Sequence, residues 1–213
     1  MRFKDRGDAG RRLAEALAAK YANRDGVIYA LPRGGVVLGA EIARRLHMPL
    51  DLIIARKIGH PHNPEYAIGA VTEGGELVRN PREAGAIPNE WFQRQAAIER
   101  QEARRRHEVY LDGREPLAAT GKVAIIVDDG IATGLTMEAA IRGIHRQQPQ
   151  QVVVAVPVVP ADTAAQLAHE VDDVVALDVP QDYLGAVGAY YDDFRQVSDD
   201  EVVALLDAVR AAQ

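Results

Sequence analysis

The chain has 213 residues, 47% of them hydrophobic, no cysteine and a formal net charge of -6. That length supports one sizeable core with at most a small appended subdomain, and the lack of cysteine excludes disulfides, thiolate zinc sites and a cysteine nucleophile. The acidic balance opposes nonspecific nucleic-acid binding, the start MRFKDRGDAG lacks the apolar run of a signal peptide, and no stretch is apolar for long enough to span a bilayer; a cytoplasmic protein with no nucleic-acid or membrane partner is expected.

In chain order, a first helix is expected from Asp8 to Ala22, then a short strand from Val27 to Leu31. The turn PRGG follows it and opens a helix through Val37, Ile42 and Leu46. Leu50 to Arg56 reads as the next strand. The Gly, Pro, His and Asn residues from Gly59 to Pro64 carry turn chemistry and predict a mobile loop over 57–66. AIGAVT and ELV then form a hairpin around Glu73, Gly74 and Gly75. From Pro88 to Leu111 a polar segment predicts an inserted helix lying on the sheet, with Trp91, Ile98 and Val109 on one face. Arg104, Arg105 and Arg106, surrounded by Glu99, Glu102 and Glu108, read as a solvated face.

Lys122 to Asp128 is the clearest buried strand, β-branched and almost wholly apolar. After it come a helix from Thr136, the strand VVVAVPV, a helix beyond Pro160 and the strand DVVALDV. Ser198 and Glu201 make a capping box ahead of Val202, Leu205, Leu206 and Val209. Strands alternating with helices predict a parallel sheet, whose ligands bind beyond the carboxyl ends of the strands.

The chemistry concentrates after the Lys122 strand. Asp128 and Asp129 stand at its carboxyl end, where each can accept a hydrogen bond from a ribose hydroxyl, with magnesium held by the ligand offsetting their repulsion. Gly130, Ile131, Ala132, Thr133, Gly134, Leu135 and Thr136 then offer backbone N–H groups and two hydroxyls at a helix start, which is an anion cradle. The spacing reads as sugar first and phosphate second. Gly34 and Gly35 let the backbone approach an anion, and Arg33 beside them can donate a fork of hydrogen bonds to phosphate oxygens. A Walker loop and a dinucleotide fingerprint are both absent, and His60 and His62 lack a partner at zinc-ligand spacing.

VDDGIATGLT, from Val127 to Thr136, resembles the motif with which type I phosphoribosyltransferases bind 5-phosphoribosyl-1-pyrophosphate, and ATGLTM is particularly similar to its adenine phosphoribosyltransferase form. LPRGG, from Leu31 to Gly35, resembles the pyrophosphate loop of these enzymes. RKIGHPHNPEY, from Arg56 to Tyr66, resembles the basic loop that closes over their substrate. GAYYDDFRQVSDDEV, from Gly188 to Val202, is similar to a little-characterised bacterial branch.

The resemblance implies an α/β fold with a central five-stranded parallel sheet flanked by helices. A small hood, from the chain ends and about residues 181–194, would supply nucleobase contacts. It further implies Arg33 and Lys57 as catalytic residues that also hold pyrophosphate with Gly34 and Gly35, and Mg2+ carried by the ligand, with Asp128 and Asp129 as added ligands. The implied reaction transfers the phosphoribosyl group to a nitrogenous base and releases pyrophosphate, as in nucleotide salvage; a homodimer is left open. Two departures bear on the base. Ala132 stands where hypoxanthine-guanine enzymes carry an acid, and Pro157 occupies the strand in which their purine-directed lysine is sought. Both count against hypoxanthine or guanine, whereas adenine-type enzymes share the alanine and carry a loop glutamate, which here would be Glu65. A non-catalytic sensor of a phosphoribosyl ligand or nucleotide, and a hydrolase of a phosphoribosyl compound, remain open beside the transferase.

Overall fold

The side chain of Asp5 accepts the amide N–H of Asp8 and starts helix α1 (Arg6–Tyr21), ahead of the Asp8 start that periodicity predicts. In the computed structural model, which describes residues 1–83 and 85–212 with Glu65 by its backbone alone, β1 (Gly26–Ala30), α2 (Gly34–Leu46) and β2 (Leu50–Leu52) follow. Three strands, β3 (Ala55–His60), β4 (Asn63–Thr72) and β5 (Leu77–Arg79), then lead to the long helix α3 (Asn89–Leu111). The remainder runs β6 (Val123–Val127), α4 (Leu135–Arg146), β7 (Gln151–Val158), α5 (Ala161–Leu167), β8 (Asp173–Asp178) and α6 (Asp199–Arg210).

The main sheet has five parallel strands in the order β2-β1-β6-β7-β8, the α/β architecture that the alternating pattern predicts. Its register sets Ile28 opposite Ile125 and Ile125 opposite Val153. Since neighbouring side chains of a strand face opposite ways, Val123, Ile125 and Val127 enter the core beneath α1, α2 and α6 with Leu13, Leu17, Leu38, Ile42 and Leu206. Ala124 and Ile126 enter the other layer with Met137, Ile141, Ile144 and Leu167 of α4 and α5. β6 is therefore buried on both faces, which is why its sequence is apolar throughout. The capping box at Ser198 is present at the start of α6.

Two expectations need correction around β3. Leu50 to Arg56 is not one strand. The carboxylate of Glu73 accepts the N–H of Ile54 at 3.0 Å, and the Glu73 N–H donates to the Ile54 carbonyl at 3.1 Å; the chain thus leaves the main sheet and begins a second, antiparallel one, ordered β3-β4-β5. The segment 57–66 is not an open loop but most of a hairpin, with Lys57 opposite Ala70 and His60 opposite Asn63. Its Gly and Pro signals mark the turn at Pro61 and His62 and the register shifts on either side of Gly59.

Helix α3 also differs in how it docks. Phe92 and Ala96 pack on Ile58, Ile68 and Val71 of the small sheet, while Ala103, Tyr110 and Leu111 join the main core, so the first half of the helix lies on the small sheet and only its second half reaches the large layer. The buried stripe is Phe92, Ala96, Ala103 and Tyr110, offset from the predicted one, and Ile98 and Val109 are 59% and 46% exposed. Both stripes keep helical spacing, and the aromatic bulk of Phe92 and Tyr110 decides between them. Arg105 and Arg106 pair with Glu102 on the solvated side, while Arg100 and Arg104 donate to backbone carbonyls of Glu73 and Gly74.

Glu73 thereby fastens the small sheet to the large one. Burial, with the charges of Glu76 and Asp51 adding to it, pushes its carboxyl up to about 7. The folded state holds that proton more tightly than the unfolded chain, so the neutral acid favours folding below the unfolded value of 4.5, and this stability is lost as pH rises through about 7. Glu73→Gln keeps an acceptor for Ile54 without the charge. Its unfolding free energy, measured in urea, is expected to gain ~2–3 kcal/mol on wild type between about pH 5 and about pH 8; an unchanged difference across that range would show that Glu73 ionises there without cost.

Candidate functional site

Three segments meet beyond the carboxyl ends of β1, β6 and β7. The Leu31 N–H donates to the Val127 carbonyl at 2.9 Å, and the Ile131 N–H donates to the Val158 carbonyl at the same distance, so the turns after β1 and β6 leave the sheet edge together. Helix α2 follows Arg33 directly, and the Gly35 N–H closes the turn onto the Leu31 carbonyl at 3.1 Å. The Pro32–Arg33 peptide is cis.

The two glycines are there because the acids are. A Cβ on Gly34 would fall 1.9 Å from Asp129 Oδ2, and one on Gly35 would fall 2.7 Å from the Val127 carbonyl oxygen. The PRGG turn therefore lies directly against Asp128 and Asp129.

Both acids sit in poor solvent. Burial first, and then the charge of Asp129, raises the Asp128 carboxyl well above the usual carboxylate range. Asp129 is raised too, by burial, against the opposing pull of Arg6. Arg6 Nε donates to Asp129 Oδ2 at 2.7 Å, with side chains only 11% and 15% exposed. The Tyr191 hydroxyl donates to the Asp129 carbonyl at 2.6 Å, and the Asp129 N–H donates to Asp128 Oδ1 at 2.8 Å. No ion pair reaches Asp128 among the described residues.

The turn that follows presents backbone N–H groups at the start of a helix. Ala132 and Thr133 are exposed, Thr136 is half-buried, and Gly130, Ile131, Gly134 and Leu135 are buried. Gly134 adopts φ 80°, which favours glycine, and no side chain caps α4 after it. The first N–H groups of α4 thus point into the turn without a side-chain acceptor, and the helix dipole adds to their attraction for a phosphate.

Residues 181–194 and the N-terminus lie beside this cradle. Phe3 bridges Tyr191 in a short parallel pairing, and a Cβ on Gly130 would meet Val187 at 2.5 Å. Tyr183 stacks on Tyr190 with ring centroids 5.4 Å apart, and the Tyr183 hydroxyl is buried with no hydrogen-bond partner among the described residues.

The other predicted residues fall as follows. Arg33 is 27% exposed and its Nη1 lies 3.6 Å from Asp199 Oδ1 at the start of α6. Lys57 is exposed on β3; its neighbour across the pair, Ala70, packs with Leu135 and Ala139, which puts Lys57 on the face of the small sheet that looks to the start of α4. The side chain of Glu65 lies outside the described residues. No cluster of three His, Cys, Asp or Glu that could hold a metal occurs among the described residues.

With this geometry in place, comparison with known proteins is decisive on one point. The family model of the phosphoribosyl transferase domain matches residues 3–194. The chain belongs to that family. Proteins from two strains of Mycobacterium tuberculosis, provisionally named phosphoribosyl transferases, are 44% identical over 210 residues. The match covers 96% of this chain and 46% of each relative, so this phosphoribosyl transferase domain spans about half their length. The crystal structure of TT1426 from Thermus thermophilus is 48% identical, covers 97% of this chain and 98% of its own, and superposes with a TM-score of 0.80. A Neisseria gonorrhoeae protein crystallised with bound ppGpp shares the fold at 14% identity and a TM-score of 0.50, with 98% of each chain covered.

Sequence reasoning missed Arg6, Tyr191 and Asp199 in this family site. Arg6 and Asp129 are 123 residues apart, and no local pattern joins them. The tight glycine turn gives a direct test. Gly35→Ala drives a methyl into the β6 carbonyl and is expected to cost ~1–3 kcal/mol of stability, whereas Gly85→Ala, where a Cβ meets nothing within 4 Å, is expected to cost little. Equal melting temperatures for the two variants would contradict the close packing of the PRGG turn on β6.

Proposed function

We propose that this domain binds 5-phosphoribosyl-1-pyrophosphate with magnesium and transfers the phosphoribosyl group to a nitrogenous base, releasing pyrophosphate. The observation that carries the reading is the contact of the PRGG turn with the acid pair, in one crevice with the uncapped start of α4. A ligand with a 5′-phosphate at one end, a diol in the middle and a diphosphate at the other would meet an anion cradle, carboxylates and a second glycine turn in that order.

In this reaction the base nitrogen bonds to ribose C1 as the bond from C1 to the pyrophosphate oxygen breaks, and both electrons of that bond leave with pyrophosphate. The amides from Thr133 to Thr136 would hold the 5′-phosphate, and the acid pair would hold the ribose hydroxyls. Magnesium, carried by the diphosphate and within reach of Asp128, would neutralise the leaving group. Arg33 would turn from Asp199 to the pyrophosphate, a small change because their 3.6 Å contact is long for an ion pair. Lys57 would approach from the small sheet. Positioning and charge stabilisation supply the rate, with no covalent intermediate on the protein.

The base would sit among Tyr183, Tyr190 and residues 187–194, and the alanine at position 132 favours an adenine-type acceptor over hypoxanthine or guanine. Glu65 is the proposed contact to that base. Nucleotide salvage and a cytoplasmic setting go with this reading, and no helix is long and apolar enough to cross a membrane among the described residues.

The test is pyrophosphate release with the labelled donor, magnesium and a panel of purines and pyrimidines. Release that depends on one base is expected, and Arg33→Ala is expected to lower kcat about 100-fold while ribose 5-phosphate affinity changes little. Release without any base would point to a hydrolase. Tight binding with no release for any base would point to a sensor.

A further inference from the structure

The acid pair is not symmetric. Asp129 is held on every side: its carboxylate by Arg6 at 2.7 Å, its carbonyl by Tyr191, and its Oδ2 wedged against the Cα of Gly34. Asp128 takes one backbone N–H and no cation among the described residues. The Arg6 guanidinium is itself fixed, lying 3.8 Å above the ring centroid of Phe194 and donating through Nη1 to the Arg195 carbonyl at 2.7 Å. One side chain of the first helical turn therefore touches the acid pair and the segment after Tyr191 together.

We infer that Arg6 is a positioning residue that divides the labour of the two acids: it locks Asp129 as the anchor of the PRGG turn and the hood, and so leaves Asp128 to meet the ribose. The inference rests on the phosphoribosyl reading above and goes beyond it by assigning different work to the two carboxylates. The physical reason is charge. Two adjacent carboxylates in a half-buried crevice repel one another, and an Asp129 without a partner would swing away from Gly34. The 2.7 Å contact with Arg6 holds it there, and the turn that would face pyrophosphate keeps its place.

Arg6 acts through Asp129, so the two side chains should be coupled in ligand binding. Binding of 5-phosphoribosyl-1-pyrophosphate with magnesium is measured by calorimetry for wild type, Arg6→Ala, Arg6→Lys, Asp128→Asn, Asp129→Asn and the Arg6→Ala, Asp129→Asn double variant, each checked for folding by circular dichroism. Arg6→Ala is expected to weaken binding on the order of 10-fold, with Arg6→Lys between it and wild type because it keeps the charge and loses the second hydrogen bond. The double variant should bind no more weakly than the worse of its two single variants, the mark of one shared interaction. Asp128→Asn should lose more affinity than Asp129→Asn, and Asp129→Asn should lose more thermal stability than Asp128→Asn.

Wild-type affinity for Arg6→Ala, or additive losses in the double variant, would overturn the inference. Should Arg6→Ala not fold, wild-type affinity in Arg6→Lys with Asp129→Asn binding more weakly than Asp128→Asn would overturn it equally. A wild-type chain that does not bind the ligand at all fails the phosphoribosyl reading itself, a result separate from any ranking among the variants.

Discussion

Two adjacent carboxylates at the end of a strand buried on both faces are the constraint on which the rest of this structure turns. Burial disfavours the charge of both, and the charge of Asp129 further raises the affinity of Asp128 for a proton. The fold answers with one cation from far away in the chain: Arg6 reaches Asp129 from the first turn of α1. The consequence is architectural as well as electrostatic. Once Asp129 is fixed, the PRGG turn has room only for glycine beside it, and Tyr191 has a carbonyl to close upon.

The small antiparallel sheet obeys a second constraint of the same kind. Glu73 occupies both hydrogen-bonding groups of Ile54, where a continuing parallel strand would have used them. That exchange ends β2 and turns β3 away. The hairpin so formed packs Ala70 and Val78 on Leu135 and Ala139 of α4, bringing Lys57 toward the helix whose amino terminus is the proposed anion cradle. A half-buried acid thus decides where Lys57 stands.

These constraints explain which parts of the molecule could be read from the sequence. β6, β7, α4 and the capped α6 carry their own signals, since burial on two faces, helical spacing and the Ser198 to Glu201 box are local patterns. The juxtaposition of the PRGG turn with the acid pair was legible as chemistry, because glycines at a strand end beside acids at another imply a shared ligand. The break after Leu52 was not, since the run Leu52, Ile53 and Ile54 does not record that a glutamate nineteen positions away takes the Ile54 amide. The face of α3 was misjudged because two stripes keep helical spacing and only the packing partners, Ile58, Ile68 and Val71, select Phe92. Arg6 and the Asp199 partner of Arg33 were illegible for the plainest reason: both contacts join distant parts of the chain through single side chains.

The central claim is that the turn from Gly130 to Thr136 is a phosphate cradle completed by ligand. Hydrogen exchange at the amides of Leu135, Thr136 and Met137 measures it directly, because the start of α4 has no side-chain cap in the free chain and its first N–H groups lack helical acceptors. Saturation with 5-phosphoribosyl-1-pyrophosphate and magnesium is expected to slow exchange at these amides on the order of 10-fold or more, with the same change absent in Gly134→Val, whose backbone cannot readily hold φ 80°. Unchanged exchange at all three amides under saturating ligand would contradict the account.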